Sequence, residues 1–103
     1  MAALPRLMTI AETRAYSREA RTAGRSVGLV PTMGALHAGH QSLIARAASE
    51  CDEVIVSVFV NPIQFDNPSD LATYPRTLDA DAAAAAEAGA TALFVPSESV
   101  MYP

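Results

Sequence analysis

Apolar positions along the chain fall into short continuous runs and into longer segments with helical spacing. The continuous runs are Val27–Val30, Val54–Val60 and Ala92–Val95. Uninterrupted apolar runs of this length are typical of parallel strands that are buried on both faces. A proline follows each run within two residues, and it has no amide hydrogen to donate to a ladder. We therefore expect three buried strands, the first of which ends at Pro31.

The segments between these runs carry helical patterns. Before residue 26 we expect a lead-in helix, with Thr9 and Glu12 forming a capping box and Gly24 ending the helix in a left-handed conformation. A second helix is predicted over residues 38–49. A third is predicted over Leu78–Ala88.

The ends of this third helix and of the chain carry further local signals. Thr77 is a candidate N-cap, and Asp79 and Asp81 are well placed against the helix dipole. Ser97 to Pro103 is predicted to be a loop.

The resulting order is helix, β, α, β, α, β, which indicates an α/β domain. Crossovers of this length give parallel strands and right-handed connections. Three parallel strands with flanking helices form one mononucleotide-binding half of a doubly wound sheet, with the strand order 3-2-1. In a full sheet the Val27–Val30 strand would be central, because a fourth strand would pair with its other side.

Composition narrows the classes of function. A chain of 103 residues is one small domain, and its net charge of −4 argues against nucleic acid as a partner. Cys51 is the one cysteine, so a disulfide framework is excluded and a reducing compartment is expected. We find neither an apolar run of membrane-spanning length nor the apolar core of a signal peptide, so we expect a cytoplasmic protein with no membrane partner.

Two histidines carry the main chemical signal. His37 and His40 are three residues apart, so both rings lie on one face of a helix that begins near His37. Imidazole donors at the positive end of a helix suit the charge that develops on a phosphate during transfer. Gly39 would leave room for a ligand to approach the backbone.

Two alternatives remain for the histidine pair. The rings could simply cap a helix of an ordinary α/β domain. A zinc site is less favoured, because the pair supplies two ligands and Cys51 is distant in the sequence.

A second polar segment, Asn61 to Phe65, follows the second strand. Parallel strands joined by a helix present their carboxyl ends at one edge, so this segment should lie beside the histidine turn. The Gln64 amide could hold a hydroxy acid by hydrogen bonds, and Phe65 could form an apolar wall. The alternative is a polar loop in which Asn61 and Gln64 satisfy backbone groups.

The segment from Pro31 to His40, PTMGALHAGH, resembles the pantothenate synthetase family, also called pantoate–beta-alanine ligases. Its last four residues resemble the HxGH signature of the nucleotidyltransferase superfamily, whose members activate substrates as adenylates. The runs VNPIQF and DLATYPRT are also similar to this family. The resemblance implies a Rossmann-like domain that uses ATP as substrate, Mg²⁺ bound mainly through ATP, and a pantoyl adenylate intermediate.

The resemblance also implies roles for individual residues. His37 and His40 would be catalytic, with His40 donating a proton. The ATP-binding residues would be Met33, Gly34, Ala35, Leu36, His37, Ala38, Gly39 and His40. The residues binding pantoate and beta-alanine would be Gln64, Asn61, Phe65 and Met33. Weaker candidates are Pro31, Thr32 and Tyr74, and no residue is assigned as a metal ligand.

Members of this family are longer and continue into a lysine–aspartate segment, a serine–arginine loop and a C-terminal domain. The resemblance therefore implies that residues 1–103 are the N-terminal part of a truncated nucleotidyltransferase domain, with little or no activity alone. It also implies a homodimer. Two alternatives remain: another HxGH adenylyltransferase, which would need cations facing a phosphate-bearing acceptor, and a non-catalytic nucleotide-binding or dimerising module.

Overall fold

A computed structural model describes residues 4–59 and 78–101 of the chain. The strands are β1 Arg6–Leu7, β2 Val27–Thr32, β3 Glu53–Val58 and β4 Ala92–Phe94. The helices are α1 Ile10–Thr22, α2 Ala38–Glu50, α3 Leu78–Ala88 and α4 Glu98–Met101. All described strand pairs are parallel, in the order β1-β4-β3-β2.

Two apolar clusters lie on opposite faces of this sheet. On one face, Val54, Val56 and Leu93 pack with Ile44 of α2 and Ala85 of α3. Side chains of alternate strand residues form the other cluster, in which Tyr16 of α1 covers the sheet. Because successive strand residues point to opposite faces, β3 is buried from both sides as predicted.

The predicted order of the three longer strands is confirmed, but the predicted number is wrong by one among the described residues. The added strand, β1, lies on the far side of β4, where Leu93 N–H donates to Pro5 O at 3.0 Å. Val95 N–H donates to Leu7 O at 2.8 Å. A strand of two residues is too short to show a period in sequence, so the pattern of the lead-in segment predicts a helix alone.

The prediction that Pro31 ends the first long strand is also wrong. β2 continues to Thr32, whose carbonyl accepts a hydrogen bond from Phe59 N–H at 3.0 Å. Neighbouring residues of a strand direct their backbone polar groups to opposite sides, so Pro31 faces away from β3. In the described part of the chain that side is the edge of the sheet, where a missing N–H breaks no ladder bond.

Burial on both faces was wrongly predicted for this same strand. The Leu29 side chain is 62% exposed, whereas Val30 is buried beneath α2. β2 is an outermost strand of the sheet that the described residues form. Residue composition alone does not distinguish such an edge strand from a central one.

The helix signals were more reliable. Glu12 N–H donates to Thr9 Oγ1 at 3.1 Å, which confirms the N-cap, and Gly24 follows α1 with φ of +80°. α3 has the predicted bounds, but the predicted cap Thr77 lies outside the described residues. The predicted loop after Pro96 is wrong, because residues 98–101 form one helical turn closed by Met101 N–H donating to Ser97 O at 3.2 Å.

Candidate functional site

A cavity of about 640 Å³ opens at the carboxyl ends of the long strands. This volume is within the range of small-molecule sites. Its walls are mostly apolar, with the His40 imidazole and two hydroxyl groups as polar exceptions. The lining residues are Leu29, Pro31, Thr32, Met33, His40, Ser57, Phe59, Phe94, Pro96 and Met101. The cavity thus brings together four of the candidates predicted from sequence.

The two histidines stand at the start of α2. His37 is its N-cap and His40 occupies the third helical position, so the rings meet with centroids 4.1 Å apart. Gly39 N–H donates to His37 Nδ1 at 3.0 Å, and His37 N–H donates to His40 Nδ1 at 3.2 Å. The imidazoles therefore act as the reciprocal caps that serine and glutamate form elsewhere.

These two hydrogen bonds determine which nitrogen of each neutral ring carries the proton. An Nδ1 atom that accepts a backbone N–H is unprotonated, so the proton of each neutral ring is on Nε2. His37 is exposed and His40 is half-buried in the cavity wall. The Nε2–H groups are the donors that the pair can offer to a ligand, because both Nδ1 atoms are engaged by the helix.

Gly39 has a neighbour that sequence reasoning did not foresee. A Cβ atom at this position would lie 2.9 Å from His37 Cε1 and 3.1 Å from His37 Nδ1. Because the His37 ring lies over the backbone here, a residue with a Cβ would require that ring to move. Ligand approach at Gly39, which is exposed, stays a prediction.

The turn between β2 and α2 contains two consecutive residues with positive φ. Gly34 has φ of +84° and Ala35 has φ of +52°, a conformation that is costly for a residue with a Cβ. The Thr32 hydroxyl accepts from Gly34 N–H at 3.2 Å and donates to Ser57 O at 2.9 Å. The turn is thereby tied to the end of β3.

A buried carboxylate holds the other side of this turn. Asp81 of α3 is 3% exposed and accepts from Ala35 N–H at 3.0 Å through Oδ2 and from Leu36 N–H at 2.9 Å through Oδ1. Sequence reasoning assigned this residue to its own helix dipole and missed the contact. Asp81 lies four residues before the buried Ala85 and so on the inward face of α3, but the packing of the helix and not its sequence identifies that face.

Asp81 changes how the turn can contact a nucleotide. Ala35 and Leu36 were predicted to bind ATP, but their amide groups already donate to this carboxylate. Any nucleotide contact from these two residues would have to use other atoms. Their assignment stays a prediction, as do those of Gly34 and Ala38.

The start of α2 is fixed to α3 at one further point. The Gln41 side chain donates through Nε2 to the Ala84 carbonyl at 3.2 Å. Ala84 is one helical turn beyond Asp81. The helix that supplies the buried carboxylate therefore also holds the first turn of the histidine helix.

Several predicted site residues lie outside the described residues: Asn61, Gln64, Phe65 and Tyr74. The structure therefore does not test the predicted meeting of the Gln64 amide with the histidines. Phe59, the last described residue before this segment, lines the cavity with His40.

Within residues 4–59 and 78–101, no group of three or more His, Cys, Asp or Glu side chains is arranged to hold a metal ion. No helix in these two ranges combines the length and apolar character needed to cross a bilayer.

A polar cluster lies at the amino ends of the strands, opposite the end that carries the cavity. The Tyr16 hydroxyl donates to Glu53 Oε1 at 2.6 Å and lies 3.0 Å from Thr91 Oγ1. Burial raises the pKa of the Tyr16 phenol above its ordinary value, and the hydrogen bond to Glu53 raises that pKa further. Glu53 begins β3 and Thr91 precedes β4, so this cluster is at the amino ends of the strands, away from the cavity.

A family model described as pantoate-beta-alanine ligase matches residues 6–103. Among curated relatives, a pantothenate synthetase of Thioalkalivibrio sulfidiphilus is 60% identical over 83 residues, covering 81% of this chain and 29% of that protein. A pantothenate synthetase of Cereibacter sphaeroides is 54% identical over 99 residues, covering 96% of this chain and 36% of that protein. The chain thus spans about a third of the length of these relatives.

Solved structures give the same result. The pantoate-beta-alanine ligase of Francisella tularensis, complexed with beta-gamma ATP and beta-alanine, superposes with a TM-score of 0.87 at 46% identity. That match covers 98% of this chain and 38% of the solved one. A pantothenate synthetase of Thermus thermophilus superposes with a TM-score of 0.83 at 46% identity, covering 97% and 34% of the two chains.

Proposed function

Because this chain belongs to the pantoate–beta-alanine ligase family, we propose that the protein containing it joins pantoate to beta-alanine with ATP. The products would be pantothenate, AMP and pyrophosphate. The observation that carries this proposal is the placement of His40 in the wall of the cavity with its Nδ1 already engaged by backbone. Its Nε2–H is then the ring atom available to a substrate phosphate.

In the first step a carboxylate oxygen of pantoate attacks the α-phosphorus of ATP in line with the bridging oxygen that leaves. One P–O bond forms and one breaks, giving pantoyl adenylate and pyrophosphate. His37 and His40 donate Nε2–H hydrogen bonds to phosphate oxygens as charge moves toward the leaving pyrophosphate, and both rings keep their protons. The dipole of α2 supports the same charge.

In the second step the neutral beta-alanine amine attacks the acyl carbon of the adenylate, the bond from that carbon to the phosphate oxygen breaks, and AMP and one proton leave as the amide forms. Gln64 and Asn61 would hold pantoate through neutral amides, with Phe65 as an apolar wall and Met33 between pantoate and nucleotide. Neutral donors hold the substrate without neutralising its carboxylate, so the carboxylate stays nucleophilic. Pro31, Thr32 and Tyr74 remain weaker candidates for the same region.

Magnesium would be held through ATP rather than by this chain. Asp81, the carboxylate beside the turn, has both oxygens bonded to backbone amides, so it is not arranged as a metal ligand. A magnesium ion on the phosphates would neutralise the leaving pyrophosphate.

The rest of the triphosphate site would come from residues beyond this segment, because the chain spans about a third of its relatives. We accordingly propose that residues 1–103 are the N-terminal part of a Rossmann-like nucleotide-binding domain in a homodimer. Alone, the segment would bind ATP weakly and turn over little or not at all. The single cysteine and the use of ATP support a cytoplasmic location.

The proposal is tested by supplying pantoate labelled with ¹⁸O in its carboxylate to a protein that includes this chain and the remaining family segments. Attack of that carboxylate on ATP transfers one ¹⁸O atom to AMP, which mass spectrometry detects. Omission of beta-alanine should stop AMP release while leaving the bound adenylate. Isothermal titration of the 103-residue chain with ATP and with pantoate measures what this segment binds alone.

Four results would contradict the proposal. Unlabelled AMP would exclude attack by the pantoate carboxylate. Adenylyl transfer to a phosphate-bearing acceptor would favour the other HxGH enzymes, and nucleotide binding without any turnover in the longer protein would favour a non-catalytic module. Full activity of the isolated chain would contradict the proposed division of the site.

A further inference from the structure

The contact between Asp81 and the turn before α2 has the features of a specific support. The carboxylate is 3% exposed, and each of its oxygens accepts one of two consecutive amides. Hydrogen bonds to a charged acceptor are stronger than neutral ones. They hold Ala35 at a φ of +52°, which a residue with a side chain does not adopt without support.

The turn has little freedom to move away from this carboxylate. Gly34 is buried, and a Cβ placed on it would lie 3.0 Å from Asp81 Oδ2 and 3.3 Å from Val58 Cγ1. The backbone of the turn is therefore packed between α3 and the end of β3. Gln41 adds a bond from the first turn of α2 to the Ala84 carbonyl on the same helix.

The carboxylate lies one peptide unit from the group that orients His40. Leu36 N–H donates to Asp81 Oδ1, and the next amide, His37 N–H, donates to His40 Nδ1. Fixing the Leu36 amide constrains the peptide plane that follows it. That plane carries the N–H that sets both the tautomer and the direction of the His40 ring.

We propose that Asp81 is a positioning residue for the histidine pair: it holds the turn so that His37 N–H engages His40 Nδ1 and directs Nε2–H into the cavity. The importance of that direction for catalysis rests on the proposed function. The direction itself does not, so the two can be tested separately.

The test uses the 103-residue chain labelled with ¹⁵N in histidine and backbone, and long-range ¹H–¹⁵N spectra that report which ring nitrogen carries the proton. Asp81→Asn keeps the shape and one acceptor oxygen, and Asp81→Ala removes both acceptors. Asp79→Asn is the matched control, because that side chain is 95% exposed and two residues away. Circular dichroism establishes that each variant is folded.

The unmodified chain and Asp79→Asn should show one His40 tautomer, protonated at Nε2. Asp81→Asn and Asp81→Ala should show a mixture of His40 tautomers in a folded chain, with exchange of the Leu36 amide faster by about tenfold or more. A merely structural role would lower the unfolding temperature and leave the tautomer of the folded chain unchanged. That second pattern would overturn the proposal.

If both substitutions prevent folding, exchange in the unmodified chain decides. Release of the Asp81 contact exposes the Leu36 and His37 amides together, so the proposal requires them to exchange with similar protection. A protected Leu36 amide beside a freely exchanging His37 amide would overturn it.

In a longer, active protein, Asp81→Asn should lower kcat by about 10²-fold with little change in KM, because misplacement of a catalytic group by about 1 Å has that effect. Mixed tautomers without loss of turnover would support the positioning role and overturn the catalytic role proposed for His40.

Discussion

His37 and His40 face each other across one helical turn with their ring centroids 4.1 Å apart, and each accepts a backbone N–H through Nδ1. The capping alternative and the catalytic hypothesis for this pair are therefore compatible. The Nδ1 atom of each ring caps the start of α2, while its Nε2–H group is available to a ligand. The following substitutions separate the two roles.

Replacing the rings with amides should retain the caps and remove the imidazole Nε2–H groups, leaving amide N–H groups at other positions. Asparagine is a preferred N-cap, and glutamine is common at the third helical position of a capping box. We expect His37→Asn and His40→Gln to change the free energy of unfolding by less than about 0.5 kcal/mol in a denaturant titration. In an active protein containing the chain, His40→Gln should lower kcat by about 10²–10³-fold, because a donor to the reacting phosphate is displaced.

His37→Ala is the matched control for capping, and it should cost about 1 kcal/mol of stability. Retention of normal kcat in His40→Gln would contradict a catalytic role for the His40 Nε2–H group. A large loss of stability in His37→Asn would contradict the cap geometry.

Gly39→Ala should disturb the histidine pair without a comparable effect on the rest of the fold. The added Cβ would stand 2.9 Å from His37 Cε1, so the ring must rotate away and release its bond to Gly39 N–H. We expect the single His37 tautomer seen in long-range ¹H–¹⁵N spectra to become a mixture. Gly24→Ala is the control: its φ is +80° with no heavy atom within 4 Å, so it should cost about 1 kcal/mol in unfolding and leave both rings unchanged. Unchanged His37 spectra in Gly39→Ala would contradict the contact.

Tyr16 should make stability depend on pH in the alkaline range. Burial and the bond to Glu53 raise the phenol pKa in the folded state above the ordinary value of 10.0. The folded chain then holds the proton more tightly than the unfolded chain, so this contribution is complete below about pH 10 and is lost as pH rises through the raised pKa. Denaturant titrations between pH 8 and 12, as a rough range, should show this decline in the unmodified chain.

Tyr16→Phe should cost about 1 kcal/mol at neutral pH and reduce that alkaline decline. Because Tyr16 is at the amino ends of the strands and the cavity is at their carboxyl ends, the spectra of both histidines should not change. An identical alkaline decline in Tyr16→Phe would show that other groups cause it.

The isolated chain should associate through the outer edge of β2. Within the described residues that edge has no paired strand, and Leu29 on it is 62% exposed. Open edges favour pairing between chains, and lysine on an edge strand opposes it. We expect sedimentation velocity to show concentration-dependent association that Leu29→Lys weakens. Leu43→Lys, at a side chain 61% exposed on α2, should have a smaller effect. A stable monomer at high concentration would contradict this prediction.

The sequence predicted the elements whose signals are local. Helix propensity and signals at the helix ends located α3 to the residue, and the Thr9 cap and Gly24 were recognised because their bonding partners lie within one helical turn. Strand order followed from the general arrangement of doubly wound half-sheets, which needs no side-chain detail. The position of the two histidines at the start of α2 was predicted because the residues that begin the helix are adjacent to them in the sequence.

The features that were missed depend on partners far along the chain. β1 exists because Arg6 and Leu7 pair with Leu93 and Phe94. Asp81 accepts a hydrogen bond from Ala35, which lies 46 positions earlier in the chain. Pro31 was misjudged because its cost depends on which side of the strand carries a neighbour. Such facts belong to the assembled sheet and leave no local pattern.

The pairing of β1 with β4 has a consequence for synthesis of the protein. Because the first strand lies beside the last described one, it must wait on the ribosome until residues near Leu93 have emerged. The β2-α2-β3 unit contains its own pairing and can assemble earlier. Folding of the nascent chain should therefore start with the β2-α2-β3 unit and end when β1 pairs with β4.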